Sequence, residues 1–172
     1  FRFCTEPQRP LRNHQLPLRE EWYAPTDNTT AGGYQAAKRI LGANEWPTAI
    51  IAFNDRSAFG CIQACVDHGI AVPEDISVTG FDNIRMAACY NPPLTTVSAN
   101  YQELADIAAK IILDMIENEW PLFRATHMVV EPALVVRQST ASPGRKGQTK
   151  QTAVAPPPER PAQNIVTCRP RH

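Results

Sequence analysis

Between Thr26 and Val136, apolar and polar residues alternate in two distinct rhythms. Tyr34, Ala37, Ile40 and Leu41 recur at helical spacing, with Asn28 or Thr29 placed to cap the start and Gly42 the end, so a helix is predicted here. Thr48–Phe53, after Pro47, is a short continuous apolar run of the kind found in a buried parallel strand. Asp55 or Ser57 then opens a second helix, on which Ala58, Cys61, Ile62 and Cys65 share a face and which Gly69 closes; Ile76–Phe81 is the next strand. Helix, strand, helix, strand with short connections predicts an α/β fold with a parallel sheet and right-handed crossovers. Farther along, Leu104, Ile107, Ala108, Ile111, Ile112 and Met115 mark an amphipathic helix over Tyr101–Glu119. His127–Val130 and Ala133–Val136 read as two strands that bend or lie at an edge, because Pro132 between them has no N–H to donate.

The flanks lack either rhythm. Residues 1–15 carry Pro7 and Pro10 among Arg2, Arg9 and Arg12 and read as irregular, leaving 16–141 as the folded body. Residues 142–172 hold six Lys or Arg against the single Glu159, and six of the sixteen prolines. That segment is +5 and the rest of the chain −5, giving the overall charge of zero. Such a basic, proline-rich stretch buries too little apolar surface to offset its ordering entropy, so it is expected to be disordered and is assigned no function.

The 172 residues suffice for one ordinary domain of ~100–200 residues. The overall charge balance gives no global sign of a nucleic-acid or membrane-surface binder. No apolar stretch approaches the ~20 residues that span a bilayer, and Phe1–Glu20 has no signal-type core. The chain opens on Phe1, not Met, so its true start is expected to lie elsewhere. Cys4, Cys61, Cys65, Cys89 and Cys168 are odd in number and scattered, which favours free thiols in a reducing cytoplasm.

Two positions stand out chemically. Asn54-Asp55 directly follows one predicted strand and Asp82-Asn83 the next. Open α/β sheets bind ligands at the carboxyl ends of their strands, where an amide and a carboxylate from neighbouring strands suit hydroxyl-rich molecules such as sugars or nucleosides. Helix capping by Asp55 and turn stabilisation by Asp82 account for the same residues equally well. Cys61, Cys65 and His68 fall on one helix face, but they lack a paired knuckle and a fourth ligand, so core packing is favoured over zinc. No G-x-S-x-G, H-E-x-x-H, Walker or G-x-G-x-x-G motif is present, and no enzyme, metal or cofactor is expected.

Four ordered blocks then carry a resemblance. They are Pro47–Gly60 (PTAIIAFNDRSAFG), His68–Asn83 (HGIAVPEDISVTGFDN), Pro92–Val97 (PPLTTV) and Leu134–Thr140 (LVVRQST). At these spacings, over roughly Leu16–Ala141, the chain resembles the effector-binding core of LacI/GalR bacterial repressors, which is similar to periplasmic sugar-binding proteins. The resemblance implies a partial type I periplasmic-binding-protein-like α/β sandwich, mostly the C-terminal subdomain plus a returning piece of the N-terminal one. It implies a sensor of a small sugar or nucleoside in an interdomain cleft, dimeric when intact and gripping operator DNA through a helix-turn-helix that this chain does not contain.

By the same resemblance, Asn54 and Asp82 hold effector groups. Asn28 takes a position that is often aromatic, and Ala99 one that is often a polar residue, usually Gln. Phe59, Ile62, Cys89 and Tyr90 fall where family members self-associate; ordinary core packing is the competing reading. A transporter's sugar-binding protein and a non-functional truncated product are the alternatives.

Overall fold

The structure, a computed structural model, describes residues 19–43, 45–117 and 128–142, together with the backbone of 165–170. A 3-10 turn at Glu20–Trp22 leads into β1 (Ala24–Thr26), α1 (Thr30–Leu41), β2 (Ala49–Ile51), α2 (Asp55–Asp67), β3 (Ser77–Phe81), the short α3 (Arg85–Cys89), β4 (Thr95–Ser98), α4 (Tyr101–Glu117) and β5 (Ala133–Val135). The last element is β6 (Ile165–Pro170).

Local chemistry accounts for the helix starts. Thr29 caps α1: its hydroxyl oxygen accepts from the Gly32 N–H at 2.9 Å and its O–H donates to Asp27 Oδ1 at 2.6 Å. At α2 the cap is Asn54, whose Oδ1 accepts from the Ser57 N–H at 2.8 Å, one residue earlier than the pattern predicts. Past the end of α2, Gly69 adopts φ 68°, a left-handed conformation that costs glycine little.

The sheet order is β1-β6-β2-β3-β4-β5. Every pairing is parallel except β4 with β5, which is antiparallel. Trp22, Ile40, Ile50, Ile62, Ile76, Val78 and Leu94 are fully buried and form the centre of the core. Trp22 also donates its indole N–H to the Glu45 carbonyl at 3.0 Å, which satisfies its one polar atom. α1 and α2 approach so closely that a Cβ on Gly33 would strike the Ser57 backbone, and one on Gly60 the Thr30 carbonyl.

Two expectations change, and of the two readings of Phe59 and Ile62 this chain shows the core packing. The described part of the first predicted strand, residues 128–130, is not a strand, and of that predicted pair β5 is the one seen among the described residues; residues 118–127, including His127 and Trp120, lie outside them. Phe59 and Ile62 are buried inside this chain and offer no exposed face, because α2 is enclosed by α1 and the sheet and Phe59 stacks on Tyr90 with ring centroids 4.3 Å apart. In the segment expected to be disordered, Ile165–Pro170 forms β6; its opening Ile-Val-Thr is β-branched and suited to a strand. The remainder of 143–172 lies outside the described residues.

β6 is the strand that joins β1 to the rest of the sheet: Ala24–Thr26 pairs with Cys168–Pro170, and Ala49–Ile51 with Ile165–Thr167. Ending the chain after Ser142 is therefore expected to lower the thermal midpoint by about 5 °C or more. Hydrogen exchange should show the loss of amide protection concentrated in residues 24–26 and 49–51, with β3 and β4 less affected.

Candidate functional site

Because β1 to β4 run the same way, the segments following them gather at one edge of the sheet. β1 delivers Asn28, β2 Asn54, β3 Asp82 and Asn83, and β4 Asn100 and Tyr101. Four of these residues sit in left-handed backbone: Asn28 at φ 69°, Asp82 at 110°, Asn83 at 52° and Asn100 at 50°. Asn and Asp tolerate this conformation better than other side chains, yet it still costs energy, and such residues concentrate at ligand sites.

Asn54 links the first two positions. While its Oδ1 caps α2, its Nδ2 donates to the Asn28 carbonyl at 3.1 Å. The Asn28 side-chain oxygen is buried without a hydrogen-bond partner among the described residues, so an acceptor remains in reserve at this edge. Asp82 accepts from the Tyr101 hydroxyl at 2.7 Å through Oδ1. That bond to a nearby carboxylate pushes the Tyr101 phenol up to about 12.

The turn carrying Asp82 is held from behind by Asp55, a carboxylate with no exposed surface. Asp55 Oδ1 accepts from the Thr96 hydroxyl at 2.5 Å and Oδ2 from the Ile84 N–H at 2.8 Å. Gly80 makes this possible, since a Cβ there would overlap the Asp55 carboxylate. On the other side, Arg137 donates from Nη2 to Asn83 Oδ1 at 2.6 Å and from Nη1 to the Leu94 carbonyl at 2.7 Å. Ser139 is fully buried beneath, donating to the Val78 carbonyl at 2.6 Å and accepting from the Thr95 N–H at 2.8 Å, so it ties β3 to β4. Burial raises the Asp55 carboxyl above its usual range, partly offset by its hydrogen bonds and by Arg137.

Residues 7–140 match the periplasmic binding protein-like domain family. The chain belongs to this family. The match begins before Leu16, in a stretch whose sequence has no periodic pattern. Among relatives of this periplasmic-binding-protein-like domain, the HTH-type transcriptional repressor PurR of Glaesserella parasuis serovar 5 is 40% identical over 128 residues, covering 72% of this chain and 38% of the repressor. The chain thus spans well under half the length of that relative. A LacI family transcriptional regulator from Enterococcus faecium, solved with bound ribose, is similar at 33% identity and a TM-score of 0.58, over 68% of this chain and 42% of its own. A LacI family regulator from Arthrobacter sp. FB24, in complex with lactose, is 27% identical with a TM-score of 0.62, over 67% of this chain and 44% of its own.

Asn28, Asn54 and Asp82 all lie at the carboxyl edge of this domain, and Ala99 sits half-buried just before Tyr101 with no side-chain donor to offer. Asp55 is not the α2 cap; it braces the Asp82 turn. Cys61 and Cys65 are buried thiols in the core, and burial pushes Cys65 up to about 12. His68 places Nδ1 2.8 Å from the Ala64 carbonyl. Among the described residues no cluster could hold a metal ion. Of the four residues expected at a self-association face, Cys89 is exposed, whereas Tyr90 is half-buried and donates its hydroxyl to the Phe59 carbonyl at 3.2 Å. Tyr101, Thr96 and Arg137 are the residues of this candidate site that pattern reading missed. Extending the carboxyl-edge argument to β4 would have reached Tyr101.

Asp55→Ala leaves the Ile84 N–H and the Thr96 hydroxyl without their acceptor, and is expected to cost about 2–4 kcal/mol in denaturant unfolding. Asp55→Asn can still accept from Ile84 and donate to Thr96, and should lose much less. The folded protein holds the Asp55 proton more tightly than the unfolded chain does. This group's contribution to stability is therefore full below the usual value of 3.8 and is lost as pH rises above it. Comparing thermal midpoints against pH, the Asn variant should lack that decline.

Proposed function

We propose that this chain is the effector-sensing portion of a LacI-type transcriptional repressor, and that its ligand is a small neutral sugar or nucleoside held at Asn28, Asn54 and Asp82. The observation that carries the reading is the convergence of an amide, a second amide and a carboxylate at the carboxyl edge of a periplasmic-binding-protein-like sheet, two of them on left-handed turns. The sugars in the two similar regulators support the ligand class, and the similarity to a transcriptional repressor supports the regulatory role. A carboxylate accepts strongly from hydroxyl and N–H groups, and the amides supply both donors and acceptors.

The mechanism makes and breaks no bond. An effector favours one closure state of two subdomains only as far as its affinities for the two states differ, typically ~1–3 kcal/mol of coupling. A second subdomain facing this edge would supply the other wall of such a cleft. α4 fits that arrangement: it is amphipathic yet buries no residue, and exposes Leu104, Ile112, Leu113 and Ile116. Contact with operator DNA falls to a DNA-binding portion outside these 172 residues, in a homodimer working in the cytoplasm. Among the described residues no helix is long and apolar enough to cross a membrane.

Isothermal titration of the chain with D-ribose tests the site. Asp82→Asn, which removes the charge but keeps the shape, is expected to weaken binding by about ten- to a hundredfold, the worth of a charge-assisted hydrogen bond. Unchanged affinity would remove Asp82 from the site.

A further inference from the structure

We propose that Tyr101 is a specificity-determining residue of the effector site: joined to Asp82, it presents two adjacent acceptors and selects a neutral ligand edge bearing two neighbouring hydrogen donors. This rests on the reading of the carboxyl edge as an effector site. The two residues come from neighbouring strands, since Asp82 follows β3, Tyr101 follows β4, and Phe81 lies opposite Val97 in the parallel ladder. Their side chains meet in a hydrogen bond of 2.7 Å from the phenol to Oδ1.

The direction of that bond decides what the pair can recognise. An ionised carboxylate only accepts, so the phenol hydrogen is committed to Asp82 and the phenol oxygen turns its lone pairs outward. A phenol keeps its hydrogen at neutral pH in any case, and the bond to the neighbouring carboxylate pushes this one further up, to about 12. Asp82 Oδ2 has no side-chain partner among the described residues. The pair therefore offers Oδ2 and the phenol oxygen side by side, with no donor between them. Tyr101 is 52% exposed, so the residue is not sealed into the core.

Two chemistries supply paired donors on a neutral ring: a vicinal diol of a sugar, and a ring N–H beside an exocyclic amino group of a base. A carbonyl, phosphate or carboxylate in the same place would meet acceptors alone and be rejected. Tyr101→Phe keeps the ring but deletes the outward acceptor and frees Oδ1, so the selection should fail while the fold is kept.

The test uses the 172-residue chain and calorimetric titration with two matched pairs: adenosine against 2′-deoxyadenosine, and guanosine against inosine. The first pair differs by one hydroxyl of a vicinal diol and the second by the exocyclic amino group beside a ring N–H. The wild-type chain is expected to favour the two-donor member of one pair by about tenfold or more. Preference in the first pair marks a sugar edge and in the second a base edge. Tyr101→Phe should bring that ratio to within about twofold of unity with its thermal midpoint unchanged. A ratio retained in Tyr101→Phe, or the lack of preference in either pair by a wild-type chain that binds them, overturns the role of Tyr101 and leaves the site standing. Failure of the wild-type chain to bind any of the four overturns the effector reading, and this proposal with it.

Discussion

A carboxylate without exposed surface must be met by donors on every side or it destabilises the fold that holds it. Asp55 is such a group, and the edge of the sheet is organised around satisfying it. Thr96 reaches it from β4, the Ile84 N–H from the turn after β3, and Gly80 clears the space that its oxygens occupy. Through these contacts three consecutive parallel units are fixed relative to one another. The left-handed backbone at Asp82 and Asn83 is supported by that bracing and by Arg137 on Asn83.

The two carboxylates at this edge have opposite duties set by environment. Asp55 faces inward and spends both oxygens on the protein, so it braces the edge from behind. Asp82 is half-buried, spends one oxygen on Tyr101, and turns toward the edge. Asn54 is divided in the same way: its amide caps α2 and binds the Asn28 backbone, which places α1 and α2 together as their close glycine-mediated packing also requires.

Much of this was legible along the chain because its causes are local. Hydrophobic rhythm places α1, α2, β2 and β3, and the strand-end rule brings Asn54 and Asp82 to one edge. What escaped the pattern arises from contacts distant in sequence. The burial of Phe59 depends on Tyr90, which stacks on it, and the role of Asp55 on Thr96, which lies forty-one residues later. Arg137 and Ser139 act on residues far upstream, so no window of periodicity contains both partners. β6 escaped for a related reason: a brief β-branched run looks inert beside its prolines until two strand edges are found waiting for it.

That strand has a consequence for how the molecule comes to be folded. β1 and β2 flank a strand that is synthesised after every other described element. The early helices can pack as they emerge, but the sheet between them stays open at its interior. Its completion closes one of the longest loops the chain allows, the kind of nonlocal pairing that slows folding. Until that moment β1 and β2 present bare edges to any other strand nearby, so the nascent protein is most vulnerable to association late in its synthesis.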